Sequence, residues 1–116
     1  MKQILPFLRH ILDETEFLLS ETRKISYEDF ISNELLKRGC TRSLEIIGEA
    51  VKNLPDDFKK RYQDVQWKKI AGMRDKLIHY YFGVSWDIVW ATIQDKIPEL
   101  KKKIESIITV TEKDKI

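Results

Sequence analysis

One short segment of the sequence holds three side chains that could cleave a phosphodiester bond. Arg74, His79 and Tyr81 all lie between residues 73 and 82. Arginine stays charged at any working pH and forms paired hydrogen bonds with phosphate oxygens. Histidine can take or give a proton near neutral pH, and a tyrosine hydroxyl can donate or accept a hydrogen bond. A site that acts on phosphodiesters would need these groups, so the rest of the chain is interpreted as their scaffold.

Helix geometry limits how these side chains can meet. Successive residues of an ideal helix are about 100° apart, so Arg74 and Tyr81, seven residues apart, fall on nearly the same face. Arg74 and His79, five apart, are separated by roughly 140°. Either the helix ends near His79, since Gly83 would suit a C-terminus, or a second copy of the segment completes the site. We favour a two-fold dimer in which Arg74 of one subunit approaches His79 of the other.

The composition is typical of a soluble helical chain. Its 116 residues are 42% hydrophobic and 34% charged, with four Gly and three Pro, which predicts one domain over residues 1–116. No apolar run is long enough to cross a bilayer, and no signal-peptide pattern is present, so we expect no membrane contact. The single cysteine, Cys40, excludes an intrachain disulfide and favours a reducing cytoplasm.

The net charge of +2 conceals a difference between the two halves of the chain. Residues 1–58 carry eight basic and eleven acidic side chains, a balance of −3, which leaves +5 for residues 59–116. The basic half contains three clusters: residues 59–61, 68–69 and 101–103. They are a modest electrostatic footprint for a polyanion. Most such clusters are merely solvated helix faces, which is the favoured interpretation, and the acidic half could equally face a basic partner.

The hydrophobic periodicity is helical throughout, and no strand pattern or repeat is present. Breakers and cap residues divide it into helices near residues 2–22, 26–54, 58–62, 67–82 and 85–109. The second is expected to run on past Gly39, with a bend there at most, and Pro98 should kink the last. Ser26, Ser85 and Asp64 are the candidate N-caps. These elements predict an all-α antiparallel bundle of four to five helices, with a frayed tail from about 109 to 116.

Acidic residues accompany the candidate site. Arg74 falls within the apolar stripe of its helix, a position that calls for an anion, an interface or an acid partner. Glu45 and Glu49, one turn apart, could bind a metal, do acid–base chemistry or pair with Arg42 or Arg74. Pairing is the favoured interpretation, because no His or Asp stands at ligand spacing. Asp75 precedes His79 by four residues and could orient its imidazole and raise its pKa.

Several other side chains are given structural interpretations. A mid-helix glycine costs about 1 kcal/mol relative to alanine, so Gly48 predicts the close approach of another backbone. Cys40 is interpreted as a small buried side chain and His10 as a surface or interface histidine. Trp86 and Trp90, one turn apart, are expected to be core or dimer contacts rather than platforms for base stacking.

The candidate segment and its flanks resemble the HEPN toxins of HepT type. The resemblance rests on the Arg74, His79 and Tyr81 pattern, on the tryptophan pair, and on two short stretches, Phe82-Gly83-Val84 and Ile46-Ile47-Gly48-Glu49-Ala50. It covers roughly residues 9 to 100. The Arg-to-His spacing alone would arise by chance in a small helical protein, but with its flanks and at this length the pattern is fairly specific.

The resemblance implies a helical bundle, function as a toxin, and roles for individual residues. Proteins of this type are RNases of two-component toxin–antitoxin modules and are thought to work without a metal or other cofactor. Arg74 and His79 match the catalytic pair, and Asp75 matches the polar residue beside the arginine. Tyr81 matches the tyrosine to which the antitoxin, a minimal nucleotidyltransferase of MNT type, attaches AMP. The implied partners are therefore a second copy, that antitoxin and RNA, with tRNA as one candidate substrate.

The implied chemistry agrees with the residue types. His79 could remove the proton of the RNA 2′-hydroxyl, and Arg74 could stabilise the charge that develops on the phosphate. AMP on Tyr81 would add bulk and negative charge where an anionic substrate binds. Two other interpretations stay open. A non-catalytic helical subunit could bind a nucleotide, or position substrate for a nucleotidyltransferase, with Arg74 as a phosphate contact. A purely structural dimer would leave Arg74 unexplained.

Overall fold

A computed structural model describes residues 4–79, 83 and 85–114 of the chain. Seven helices occupy these ranges, and no strand is found in them, so the all-α bundle predicted from the sequence is confirmed. No helix in the described part of the chain has the length and apolar character needed to span a membrane. The helices are α1 (Ile4–Thr22), α2 (Tyr27–Ser32), α3 (Glu34–Asn53), α4 (Asp56–Arg61), α5 (Trp67–His79), α6 (Trp86–Asp95) and α7 (Ile97–Lys113).

The predicted long second helix is divided at Asn33, although it runs on past Gly39 as expected. Asn33 has extended backbone angles (φ −106°, ψ 98°) and is both the C-cap of α2 and the N-cap of α3. Its side-chain oxygen accepts a hydrogen bond from the backbone N–H of Leu36 at 3.0 Å, which starts a new helix. Gly39 lies inside α3, whose helix continues without interruption.

The predicted last helix is likewise two helices, which join at Lys96. Pro98 lies in the first turn of α7. A proline is tolerated there because its missing N–H would have no partner within the helix. Pro98 therefore follows the start of a new helix and does not kink an existing one. The tail predicted to fray from Thr109 is helical as far as Lys113, so that boundary was placed too early.

The candidate caps have different outcomes. Ser26 forms the predicted capping box with Asp29, in which each side chain accepts a hydrogen bond from the other residue's backbone N–H. Ser85 is the N-cap of α6, although its side chain forms no capping hydrogen bond. Asp64 lies three residues before the start of α5 at Trp67, so its assignment as a cap is wrong.

The core is built around α3, which packs against α1 on one side and α5 on the other, while α1 also packs against α7. Its fully buried hydrophobic side chains come from five helices: Leu8, Ile11, Leu18, Phe30, Cys40, Leu44, Ile47, Ile93 and Ile104. Burial of such side chains contributes roughly 1.5–3 kcal/mol each and dominates the stability of a helical bundle. The core therefore fixes α3, and α3 in turn positions α5.

Trp86 and Trp90 join this core through an aromatic cluster. Their rings lie 6.2 and 5.1 Å from that of Phe30, measured between centroids, and Tyr27 packs edge-on against Trp90 at 6.1 Å. The Lys37 ammonium lies 5.1 Å from the centre of the Trp86 ring. The prediction that the two tryptophans make core contacts is confirmed.

Candidate active site

The structure describes part of the predicted site. Arg74 and Asp75 lie on α5, which is described as far as the backbone of His79. The side chain of His79 and the whole of Tyr81 fall outside the described residues. The proposed contact between Asp75 and His79, and the composite site at a dimer interface, therefore remain predictions.

Arg74 lies directly over Gly48 of α3. A Cβ atom built on Gly48 would be 2.1 Å from the Arg74 Cβ, 2.8 Å from its Cγ and 3.3 Å from the Ile70 backbone oxygen. Real Cβ atoms do not approach other atoms to within 3.0 Å, so an alanine would force the helices to shift. The predicted close approach at Gly48 is confirmed. The glycine lets the stem of Arg74 rest on the backbone of α3.

The guanidinium of Arg74 is held between two carboxylates. Its Nη2 lies 2.8 Å from Glu49 Oε2, and its Nη1 donates to Asp75 Oδ1 at 3.1 Å. The same Asp75 oxygen accepts a hydrogen bond from Lys52 Nζ at 2.5 Å. We call Glu49, Arg74, Asp75 and Lys52 the charge network. It connects the second half of α3 to α5 and alternates negative and positive groups.

The charge network is partly open to solvent. The exposed fraction of the side chain is 24% for Arg74, 39% for Lys52, 44% for Asp75 and 55% for Glu49. Arg74 Nε is buried and has no hydrogen-bond acceptor among the described residues. A charged group that is half-buried yet reachable can exchange its carboxylate partners for those of an incoming anion. The two Nη atoms of Arg74 are thus the part of the site best suited to hold phosphate.

Lys52 and then Arg74 lower the pKa of Asp75 by donating hydrogen bonds to its carboxylate. Asp75 is therefore ionised at neutral pH and cannot serve there as a proton donor. In the structure it accepts hydrogen bonds from both cations, and the supporting role predicted for it at the site stays a prediction.

The pairing predicted for the two glutamates of α3 is confirmed. Glu49 contacts Arg74, and Glu45 lies 3.6 Å from Arg42 on its own helix. In the described part of the chain, no group of three or more His, Cys, Asp or Glu side chains could hold a metal ion. Lys52 was not among the residues predicted for the site, although it follows Glu49 by three residues and so lies one turn along the same face of α3.

The basic clusters are partly neutralised by neighbouring acids. Lys59 lies 3.7 Å from Asp56, and Lys101 lies 3.2 Å from Glu105. Lys103 lies 2.8 Å from Glu99 and also donates to a backbone oxygen. These contacts agree with the interpretation of the clusters as solvated helix faces, and they reduce the charge available to a polyanion.

A groove with a volume of about 550 Å³ runs between α5 and the region where α6 meets α7. Four lysines lie along it beside apolar side chains such as Ile70: Lys69, Lys76, Lys96 and Lys103. On a helical projection, the α5 residues that line it are centred on the side away from Arg74. The groove and the charge network thus lie on different faces of α5.

Two residues outside the site agree with their predicted roles. Cys40 is fully buried, and burial raises the pKa of its thiol to about 11, with a smaller contribution from the charge of Glu21. Thiol chemistry needs the thiolate, so Cys40 is unreactive in the folded protein. His10 is exposed on α1.

An all-α bundle with Arg74 held on α5 and His79 at the described end of that helix has the organisation of a HEPN-type domain. The chain belongs to the family described as ribonuclease HepT-like, whose sequence profile matches residues 11–107. The family resemblance seen in the sequence is thereby confirmed, and it places the chain among the ribonucleases.

Several relatives match nearly the full length of the chain. A protein of Caldanaerobacter subterraneus subsp. tengcongensis named "Putative RNase" is 56% identical over 108 residues, 93% of this chain and 96% of the relative. A protein of Methanocaldococcus jannaschii with the same designation is 46% identical over 107 residues, 92% and 88% of the two chains. The "Probable ribonuclease HepT" of Thermococcus cleftensis is 44% identical over 101 residues, 87% and 92%. No solved structure matches the chain.

Proposed function

We propose that this chain is the toxin of a toxin–antitoxin module, a metal-independent ribonuclease that uses Arg74 and His79. The observation that carries the proposal is the placement of Arg74. In a member of a ribonuclease family, this arginine is held over Gly48 between two carboxylates and keeps 24% of its side chain exposed. That arrangement orients a phosphate-binding group toward solvent, where a large anionic substrate can reach it.

RNA supplies its own nucleophile in the proposed reaction. His79 takes the proton of a 2′-hydroxyl, and the 2′-oxygen attacks the adjacent phosphorus. The bond from phosphorus to the 5′-oxygen breaks, which leaves a 2′,3′-cyclic phosphate and a 5′-hydroxyl. The proton held by His79 balances the one that the leaving oxygen requires. Arg74 stabilises the negative charge on the phosphate as it develops.

A homodimer would complete this site. The straight helix α5 separates the directions of Arg74 and His79 by roughly 140°. A two-fold axis beside α5 would place His79 of one copy near Arg74 of the other, and the reverse. The partner that silences the enzyme is proposed to be an MNT-type nucleotidyltransferase, which adds AMP to Tyr81. The added phosphate would repel the RNA backbone and block the site by volume.

The test is cleavage of total cellular RNA by the purified protein in EDTA, beside Arg74→Ala and His79→Ala. We expect the wild type to cut, both variants to lose at least about a hundredfold in rate, and DNA to stay intact because it lacks the 2′-hydroxyl. Light scattering should give the mass of a dimer. Inhibition by EDTA would overturn the metal-independent mechanism.

A wild-type preparation that does not cut needs one further measurement. Mass spectrometry of peptides containing Tyr81 should then show the added mass of AMP, and its removal should restore cleavage. Folded, unmodified and inactive protein would instead favour the alternative function, a non-catalytic subunit that binds a nucleotide or substrate through Arg74. The wild type and His79→Ala would then bind RNA equally well, and neither would cleave it.

A further inference from the structure

Asp75 brings two cations to one carboxylate oxygen. Its Oδ1 atom accepts hydrogen bonds from Arg74 Nη1 at 3.1 Å and from Lys52 Nζ at 2.5 Å. The two donor nitrogens are therefore no more than about 5.6 Å apart, the sum of the two distances. A phosphate group presents several acceptor oxygens and can contact two donors at such a separation.

Lys52 is available for such a contact. It lies in the last turn of α3, its side chain is 39% exposed, and Asp75 is the acceptor found for its ammonium among the described residues. The pair can contribute only modestly to stability, because partly exposed ion pairs lose most of their Coulomb energy to solvent. Stability alone therefore gives little reason for Lys52 to lie beside Arg74.

We propose that Lys52 is a second phosphate-binding residue of the site, and that Asp75 holds Lys52 and Arg74 together until the RNA phosphate replaces it. Lys52 approaches from α3 and Arg74 from α5, so one phosphate would contact both helices. The inference rests on the proposed ribonuclease function and extends the site beyond the segment that contains Arg74 and His79.

Two variants break the same ion pair from its opposite ends. Lys52→Gln removes the proposed phosphate contact, whereas Asp75→Asn keeps both cations and an acceptor oxygen between them but removes the competing negative charge. We expect Lys52→Gln to raise KM about tenfold, as for the loss of one hydrogen bond to a charged group, with kcat little changed. Asp75→Asn should bind RNA at least as tightly as the wild type. If the pair served only to connect α3 to α5, both variants would weaken binding alike.

A direct readout is the binding of single-stranded 2′-O-methyl RNA of random sequence, which keeps its phosphates but cannot be cut. The dissociation constant is measured by fluorescence anisotropy over a range of salt concentrations. Loss of one phosphate contact should reduce the slope of log affinity against log salt by about 0.7. We expect this reduction in Lys52→Gln and its absence in Lys52→Arg, which keeps the charge.

The Arg9–Glu112 ion pair provides the matched control, because it also joins two helices, α1 and α7, with both side chains about half exposed. Arg9→Gln and Glu112→Gln repeat the two charge changes away from the proposed site and should leave KM and the salt slope unchanged. A wild type that cuts RNA, together with a Lys52→Gln variant that behaves like Arg9→Gln, would overturn this inference alone. A folded wild type without AMP on Tyr81 that neither binds nor cuts RNA would overturn the proposed function and the inference with it. Melting curves identify unfolded variants. Asp75→Asn keeps the test decisive if Lys52→Gln is one of them, because weaker RNA binding by folded Asp75→Asn would overturn the inference.

Discussion

The two halves of α3, residues 34–44 and residues 45–53, make different kinds of contact. In the first half, a Cβ atom built on Gly39 would lie 3.5 Å from the Phe17 ring of α1, which is an ordinary van der Waals distance. Cys40 is fully buried there, and the Ser43 hydroxyl donates to the Glu14 carboxylate at 2.7 Å. The groups in these contacts are either apolar, or polar and paired by a hydrogen bond. This half of α3 belongs to the core.

The second half of α3 contacts α5 through charge and very close packing. Gly48 has no room for a Cβ beneath Arg74, and Glu49 and Lys52 pair with Arg74 and Asp75 across the interface. Apolar side chains of similar size would give such an interface more stability than partly exposed ion pairs do. The charged half is better explained by the chemistry proposed for it. The core half holds α3 in place so that the charged half can present Arg74.

The largest expected effect is on stability in the core half. Leu44 is fully buried, so Leu44→Ala should lower the free energy of unfolding by about 2–5 kcal/mol, through lost burial and the cavity left behind. Urea denaturation followed by circular dichroism measures the change. Leu35, on the same helix, is 82% exposed, so Leu35→Ala is the control and should change stability little. Equal losses in the two variants would contradict the assignment of Leu44 to the core.

The next effect compares the same substitution at a closely packed glycine and at an open one. Gly48→Ala would place its Cβ 2.1 Å from the Arg74 Cβ, so we expect destabilisation by about 1–3 kcal/mol from overpacking and a marked loss of cleavage. The Cβ of Gly72→Ala, on α5, would have no atom of another described element within 4 Å, so this variant should stabilise its helix by up to about 1 kcal/mol. Thermal melts and the RNA cleavage assay provide both readouts. Full activity in a stable Gly48→Ala variant would contradict the close packing.

The core half was the more predictable of the two. Periodic apolar residues give the all-α class and most helix positions, because burial of one helix face is a local property of the sequence. The helix breaks at Asn33 and Lys96 were not predicted. At Asn33 a single side-chain hydrogen bond starts a new helix, although the helical apolar pattern continues on both sides. Hydrophobic periodicity carries no information about such a hydrogen bond.

The charged half was predictable only in part. The position of Arg74 in an apolar stripe predicted an acid partner, which is Glu49. Gly48 inside a helix predicted a close neighbour, which is Arg74 itself. Lys52 could not be placed in the site from spacing alone, because its contact with Asp75 joins residues 23 positions apart. Such contacts depend on how two helices are set against each other. The sequence pattern of either helix alone does not contain that information.

A smaller effect is expected from the other acid partner of Arg74. Glu49→Gln keeps an acceptor near Arg74 but removes the charge 2.8 Å from its guanidinium. We expect the cleavage rate to fall by up to about tenfold, because a catalytic group held less firmly spends less time in the productive geometry. Stability should change little. Glu45→Gln, one turn earlier and paired with Arg42 instead, is the matched control. Equal rates in the two variants would show that Glu49 does not position Arg74.

The smallest effect is the pH dependence that Asp75 adds to stability. Lys52 and Arg74 lower the pKa of Asp75 in the folded protein below its ordinary value of 3.8. The unfolded chain therefore binds this proton at higher pH than the folded protein does. The stabilisation is fully present above about pH 4 and is lost as the pH falls through the lowered pKa.

Urea midpoints of the wild type and Asp75→Asn, measured from about pH 6 down to pH 2.5, should therefore converge as the acid limit is approached. The pKa values of Glu34 and Glu99 are also lowered, by Lys37 and Lys103, but these residues contribute to both curves and cancel in the difference. Lys52 is the largest cause of the lowered pKa of Asp75, so this pKa should return toward its ordinary value in Lys52→Gln. The urea midpoints of Lys52→Gln and of the Lys52→Gln/Asp75→Asn double variant should therefore differ by an amount that depends less on pH. If the urea midpoints of the wild type and Asp75→Asn instead ran parallel over this pH range, the charge network would be absent in solution. The second half of α3 would then no longer differ from the first by its charged contacts with α5.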